Sequence, residues 1–124
     1  MRVLIADDEL PVRSALRLLL EQQFGVQQID EAGTAEALAE CIRSGCFDLL
    51  LLDWELDSAA GAGGLSELHG RCPRMRIVVL SSQPEVGSVA IGAGASHFVC
   101  KGDPPERLLE AIHLDSTASG ASQS

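Results

Sequence analysis

Four short, largely apolar runs each end in a side chain that can bind a metal ion or act in a reaction, and this pattern constrains the chain most. The runs are residues 2–6, 47–52, 77–80 and 97–100. The residues that follow them are Asp7 with Asp8, Asp53, Ser81 and Lys101. Apolar runs of this length, bounded by turn signals, are typical of strands buried on both faces of a parallel sheet.

Helical patterns lie between these runs and predict an alternating α/β fold. Apolar residues recur at helical spacing after Pro11, a residue suited to the first turn of a helix. Residues 26–29 can make a short second strand, and Thr34 can cap the helix that follows it. At the end of the chain, Asp103 can cap a last helix whose first residue is Pro104.

Five strands alternating with helices predict a parallel sheet covered by helices on both faces, with its ligands at the carboxyl ends of the strands. Asp7, Asp8 and Asp53 would repel one another at that edge unless a cation lay among them, and Mg²⁺ favours such oxygen ligands. A carboxylate can also attack phosphorus, provided that nearby donors offset the charge of the transferred group. Lys101 and Ser81 could supply these donors.

Charge and length narrow the function classes. The 124 residues correspond to about one domain. They include 18 acidic and 9 basic residues, for a net charge of -9, which disfavours direct nucleic-acid binding. Lys101 is the single lysine. No apolar run approaches the roughly 18 residues that a membrane span needs, and the apolar start is too short for a signal peptide, so we expect a cytoplasmic protein with no membrane partner.

The four cysteines show no metal-binding or disulfide motif. Cys41, Cys46, Cys72 and Cys100 contain no Cys-x-x-Cys pair, and the three histidines are scattered singly. We therefore expect four small, partly buried free thiols.

Taken in order, the motifs resemble the receiver domain of a two-component response regulator. They are residues 3–9 (Val-Leu-Ile-Ala-Asp-Asp-Glu), 48–53 (Asp-Leu-Leu-Leu-Leu-Asp), 77–82 (Ile-Val-Val-Leu-Ser-Ser), 94–101 (Gly-Ala-Ser-His-Phe-Val-Cys-Lys) and the helix at 105–112. The resemblance covers residues 1–113 and implies a flavodoxin-like doubly wound sheet with strand order 2-1-3-4-5. Residues 114–124, rich in small polar side chains, are expected to be a disordered tail or the start of an interdomain linker. The segment at 101–108 is similar to regulators with LuxR-type helix-turn-helix output domains, and no such domain lies within these residues.

The resemblance also implies a role for each residue at the strand ends. Asp53 would accept a phosphoryl group from a sensor histidine kinase or phosphotransfer protein, and Lys101 and Ser81 would contact the phosphoryl oxygens. Phe98 would be the aromatic residue that turns inward as Ser81 moves. The implied Mg²⁺ ligands are Asp7 (directly or through water), Asp8, Asp53 and the backbone carbonyl of Glu55. Such a domain is a conformational switch that can catalyse its own phosphorylation and dephosphorylation, and it could form a homodimer when phosphorylated.

Some departures from the family pattern leave alternatives open. Asp57 stands where the family usually has proline, the third helix would begin in the glycine-rich segment 61–64, and the fourth helix should be short and mobile. The alternatives are a stand-alone phosphorelay receiver, a degenerate receiver that is not phosphorylated, and a Mg²⁺-dependent aspartyl-phosphate phosphatase. Such phosphatases are associated with an Asp-x-Asp motif. Here the motif would begin at Asp53, and Glu55 occupies the position of its second aspartate.

Overall fold

The computed structural model describes residues 1–56 and 61–113, in which five strands alternate with five helices. The strands are β1 (Arg2–Ala6), β2 (Gln28–Ala32), β3 (Leu49–Asp53), β4 (Arg76–Ser81) and β5 (His97–Cys100). The helices are α1 (Leu10–Glu21), α2 (Ala35–Ser44), α3 (Gly61–Arg71), α4 (Val86–Gly92) and α5 (105–113). Within these ranges no helix has both the length and the apolar character that crossing a bilayer requires. Asp57 and the predicted tail at 114–124 lie outside the described residues.

All neighbouring strands are parallel, and their order is β2-β1-β3-β4-β5. The predicted doubly wound, flavodoxin-like fold and its strand order are therefore confirmed. Every residue of β3 is buried, as expected for a central strand covered on both faces. The polar sequence of β2 suits its position at the edge.

Successive side chains of the central strands point to opposite faces of the sheet and make two cores. Leu4, Leu50 and Ile77 pack on the face that receives α2, α3 and α4. Their neighbours on the other face pack with the apolar residues of α1 and α5. A run of consecutive leucines in β3 thus serves both cores, which explains why it shows no polar alternation.

Two predicted element boundaries were wrong by a few residues. The second strand begins at Gln28 and not at residue 26, because only residues 28–32 pair with β1, in the register from Arg2 opposite Gln28 to Ala6 opposite Ala32. The last helix begins at residue 105, one position later than predicted. Asp103 does not cap it, because its Oδ2 instead accepts the backbone N–H of Cys100 at 3.3 Å.

Other local predictions are confirmed. Thr34 Oγ1 accepts the N–H of Ala37 at 3.0 Å and so caps α2, as a threonine at this position was expected to do. The third helix begins at Gly61. The fourth helix is short, with 7 residues. Its predicted mobility stays a prediction.

The expectation of four free thiols was wrong for two of them. Cys46 and Cys72 form a disulfide with Cα atoms 5.7 Å apart, whereas Cys41 and Cys100 are free. Leu49 and Arg76 pair in the sheet, so the segments that enter β3 and β4 lie side by side and bring the two cysteines together. Because these residues are 26 positions apart in sequence, no short motif marks the pair.

Candidate functional site

The carboxyl edge of the sheet brings together the chemically capable residues that the sequence placed at the strand ends. Parallel pairing sets Asp53 opposite Leu80 and Ser81 opposite Cys100, so β3, β4 and β5 end side by side. The end of β1 lies beside β3, where Ala6 pairs with Leu52. The topology thus collects side chains that are up to about a hundred residues apart in the chain.

Three carboxylates form an acidic cluster at this edge. Asp7, Asp8 and Asp53 each offer one oxygen within 4.8 Å of the other two. Asp7 and Asp53 are buried, whereas Asp8 is exposed. The buried pair fixes the position of the cluster, and the exposed residue leaves one side open to solvent.

Asp7 is held by the backbone, yet one of its oxygens is incompletely satisfied. Its Oδ1 accepts the N–H of Glu9 at 2.9 Å. Its Oδ2 is buried and receives no well-oriented hydrogen bond within the described residues, although Lys101 Nζ lies 3.0 Å away. A buried oxygen in this condition is costly unless a cation or a water molecule completes its surroundings.

Lys101 is the positive charge at the centre of the site. Its Nζ lies 3.0 Å from Asp7 Oδ2, 3.2 Å from Asp53 Oδ1 and 3.8 Å from Glu9 Oε1. Burial by itself lowers the pKa of this ammonium group, but the ion pairs with Asp7 and Asp53 outweigh that effect and raise it. Lys101 therefore remains protonated and neutralises part of the acidic cluster.

Asp53 holds its negative charge at a cost. The pKa of its carboxyl is raised from 3.8 to about 6, with burial as the largest cause. The charge of Asp7 raises this pKa as well, whereas the N–H of Glu55 and the ammonium of Lys101 lower it. The Glu55 N–H and Lys101 Nζ both contact Asp53 Oδ1, at 3.1 and 3.2 Å.

Ser81 and Glu55 make a contact that sequence reasoning missed. Ser81 is buried at the end of β4, and its hydroxyl donates to Glu55 Oε1 at 2.7 Å. Ser81 Oγ also accepts the N–H of Gln83 at 3.1 Å. The sequence singled out Glu55 for its backbone carbonyl. The position of its carboxylate, two residues after Asp53 in a tight turn, was the signal that could have suggested a side-chain role.

Phe98 lies on β5 beside the start of α4, partly buried against the core. A Cβ placed on Gly87 would meet its ring carbon Cδ2 at 3.0 Å, so the absence of a side chain at this position makes room for the ring. The predicted switch role of Phe98 stays a prediction.

Arg13 also supports the site and was not anticipated. It donates to the backbone oxygen of Asp7 at 2.7 Å and to Glu31 at 3.0 Å. Arg17 joins the same glutamate, and this hydrogen bond is the largest influence that lowers the pKa of Glu31. The two arginines stand four positions apart, on one face of α1, and this spacing was the available signal.

The structure is thus a flavodoxin-like α/β domain, and the carboxyl edge of its sheet carries an acidic site around Lys101. The family model for the response regulator receiver domain matches residues 3–113, and the chain belongs to this family.

Individual relatives agree with this assignment. The nitrate/nitrite response regulator protein NarP of Escherichia coli (strain K12) is 30% identical over 120 residues, which are 95% of this chain and 56% of NarP. A CheY-like receiver domain protein from Methanospirillum hungatei JF-1 has a TM-score of 0.81 at 25% identity, covering 98% of this chain and 97% of that one. A LuxR-family response regulator from Aurantimonas sp. SI85-9A1 has a TM-score of 0.81 at 26% identity, covering 94% and 85%. The chain spans about half the length of the curated relatives it matches.

Family membership identifies the class of protein and indicates what the acidic cluster binds. The chain is a receiver domain of the kind found in two-component response regulators, and the alternatives considered from sequence are not favoured. Receiver domains bind Mg²⁺ in an acidic pocket and interact with histidine kinases or phosphotransfer partners. The cluster of Asp7, Asp8 and Asp53 fits a hard divalent cation, because it offers carboxylate oxygens of which one is buried and incompletely satisfied.

Proposed function

We propose that Asp53 is the phosphoacceptor of this receiver domain and that Mg²⁺ held by Asp7, Asp8, Asp53 and the Glu55 backbone carbonyl is required for the transfer. The observation that carries the proposal is the Asp53 carboxylate itself. It is buried at the end of β3, belongs to the acidic cluster and contacts Lys101 at 3.2 Å. A carboxylate kept charged in such surroundings is suited to attack phosphorus.

The geometry of the donors suggests which oxygen reacts. Lys101 and the Glu55 N–H both contact Oδ1 of Asp53, which leaves Oδ2 as the oxygen that attacks. As the bond from Oδ2 to phosphorus forms, the bond from phosphorus to the histidine nitrogen of the partner breaks, and its electron pair remains on that nitrogen. Bound Mg²⁺ supplies positive charge that offsets the charge of the phosphoryl oxygens. Lys101 contributes to the same neutralisation, and Ser81 donates to a phosphoryl oxygen.

Phosphorylation would convert this chemistry into a signal. The added charge would draw Ser81 toward the phosphoryl group, Phe98 would turn inward, and the population would shift toward a partner-binding or dimeric state. In this proposal the phosphoryl donor is a sensor histidine kinase or a phosphotransfer protein. The chain acts as a switch and not as a turnover enzyme, in the cytoplasm. In the same proposal, residues 1–113 form the receiver, residues 114–124 are a tail or the start of an interdomain linker, and the output that the receiver controls is a DNA-binding domain of the LuxR type outside these residues.

Intact-mass measurement tests the phosphoacceptor directly. The protein is incubated with Mg²⁺ and a small phosphodonor, and we expect wild type to gain the mass of one phosphoryl group and Asp53→Asn to gain none. Asp48→Asn is the matched control, since Asp48 lies just before the opposite end of the same strand and is exposed. It should be phosphorylated like wild type. The proposal is wrong if wild type gains no phosphoryl group, or if Asp53→Asn gains one to the same extent.

A further inference from the structure

Glu55 contacts both the carboxylate and the hydroxyl of the candidate site, and the proposed function gives its side chain no role. Its N–H donates to Asp53 Oδ1 at 3.1 Å, and its Oε1 accepts the hydroxyl proton of Ser81 at 2.7 Å. Glu55 is exposed, whereas Ser81 is fully buried. One residue thus connects the two groups that a transferred phosphoryl group has to contact.

The hydrogen bonds of Ser81 leave its hydroxyl proton committed. Its oxygen accepts the N–H of Gln83 at 3.1 Å, and its only proton goes to Glu55. A hydroxyl donates a single hydrogen bond, so Ser81 cannot give the same proton to Glu55 and to a phosphoryl oxygen. The bond to an ionised carboxylate is also among the stronger ones in proteins. Ser81 therefore has to break it before it can serve a phosphoryl group.

We infer that Glu55 is a positioning residue that restrains Ser81 in the unphosphorylated protein, by competing with the phosphoryl group for the hydroxyl proton. The inference rests on the proposed function, because the competition exists only if a phosphoryl group arrives at Asp53. Loss of the Glu55 carboxylate should release Ser81 and strengthen the binding of a phosphoryl-like group. The backbone carbonyl at position 55 is retained in any substitution, so this effect is separate from the proposed metal ligand.

Beryllofluoride, a phosphoryl mimic, provides the measurement at saturating Mg²⁺. Titration calorimetry gives its dissociation constant for wild type, Glu55→Ala and Glu55→Gln. We expect Glu55→Ala to bind about five- to tenfold more tightly, the size of effect that follows from the loss of one competing hydrogen bond to an exposed side chain. Glu55→Gln keeps an acceptor for Ser81 and should gain less. Glu67→Ala, which removes an exposed glutamate from α3, is the matched control and should bind like wild type.

A double-mutant cycle with Ser81→Ala separates restraint from simple charge repulsion. If Glu55 acts through Ser81, the gain from Glu55→Ala disappears when Ser81 is already alanine, since no hydroxyl remains to be released. If instead the carboxylate only repels the anion, the gain persists in that background and Glu55→Gln gains as much as Glu55→Ala. The second pattern overturns the inference.

The remaining outcomes distinguish this inference from the proposed function. If wild type binds beryllofluoride but Glu55→Ala binds it no more tightly, Glu55 does not restrain Ser81 and the phosphoacceptor proposal stands. If wild type fails to bind beryllofluoride in the presence of Mg²⁺, the proposed function fails, and the inference fails with it.

Discussion

At the scale of single residues, burial of the Asp53 carboxylate carries an electrostatic cost. The carboxyl is 2% exposed and lies in a cluster with two other carboxylates. Lys101 and one backbone N–H offset part of the cost, but the pKa remains raised to about 6. The residue proposed to react is thus one that destabilises the fold when it is charged, as is common where function and stability compete.

We expect Asp53→Asn to stabilise the protein at pH 7 in the absence of divalent metal, by roughly 1–2 kcal/mol. The folded-state pKa of about 6 exceeds the ordinary value of 3.8, so between these pH values the folded protein binds the proton more tightly than the unfolded chain. Wild-type stability therefore falls as the pH rises through this window. The advantage of Asp53→Asn should grow over the same window and vanish below it.

Urea unfolding followed by Trp54 emission measures this difference across the pH range, with EDTA present. Glu67→Gln is the control, because it removes a carboxylate from an exposed position on α3. A stability difference between wild type and Asp53→Asn that stays constant from acidic to neutral pH would contradict the assignment of the strained charge to Asp53.

Much of the site was predictable from residue identity, because its members lie at or just after the carboxyl end of a strand. They are Asp7, Asp8, Asp53, Ser81 and Lys101. The contact between Glu55 and Ser81 was not predictable in the same way. It depends on the course of the turn after β3 and on the direction of one flexible side chain, and neither leaves a periodic signal in the sequence.

At the scale of elements, the edge of the sheet opposite the site carries a covalent link. The disulfide joins Cys46, just before β3, to Cys72, which follows the end of α3. It was missed because the two cysteines meet only through the pairing of β3 with β4. The second strand was misplaced for a related reason, since its register against β1 sets its limits and its own apolar pattern is weak.

We expect loss of this disulfide to lower the free energy of unfolding by about 3.5 kcal/mol, on a chain-entropy estimate for a link that spans 26 residues. Denaturant unfolding should place Cys46→Ser below wild type by this amount. A thiol reductant should bring wild type down to the level of Cys46→Ser without affecting the variant. Cys41→Ser is the control, because Cys41 is a free thiol whose pKa is raised mainly by burial. A wild-type protein that is indifferent to the reductant would show that the link does not form.

At the scale of the whole molecule, the parallel topology of the sheet explains both the acidic site at its carboxyl edge and the disulfide at its opposite edge. In a parallel sheet every strand runs in the same direction, so the chemically capable ends of β1, β3, β4 and β5 meet at one edge and the segments entering β3 and β4 meet at the other. The fold was predictable because each central strand is a short apolar run bounded by turn signals, and helical patterns lie between these runs. The net charge of -9 did not indicate a single function, because acidic residues can belong either to a solvated surface or to a metal site.

Magnesium binding distinguishes a metal site at the strand ends from an acidic surface in general. We expect Mg²⁺ at about one hundred times its dissociation constant to stabilise wild type by about 2.7 kcal/mol, because it binds the folded acidic cluster and not the unfolded chain. The melting temperature should rise by roughly 10 °C for a domain of this size. The titration is carried out at constant ionic strength with NaCl, so that screening of the whole surface is held fixed.

Asp8→Asn removes the exposed member of the cluster and should abolish most of this shift, whereas Glu67→Gln removes one charge elsewhere and should retain it. Both variants have the same net charge, so any difference between them reports the site and not the overall field of the protein. Equal shifts in Asp8→Asn, Glu67→Gln and wild type would mean that Mg²⁺ acts on the acidic surface in general. In that case the carboxylates at the strand ends would not form a metal site.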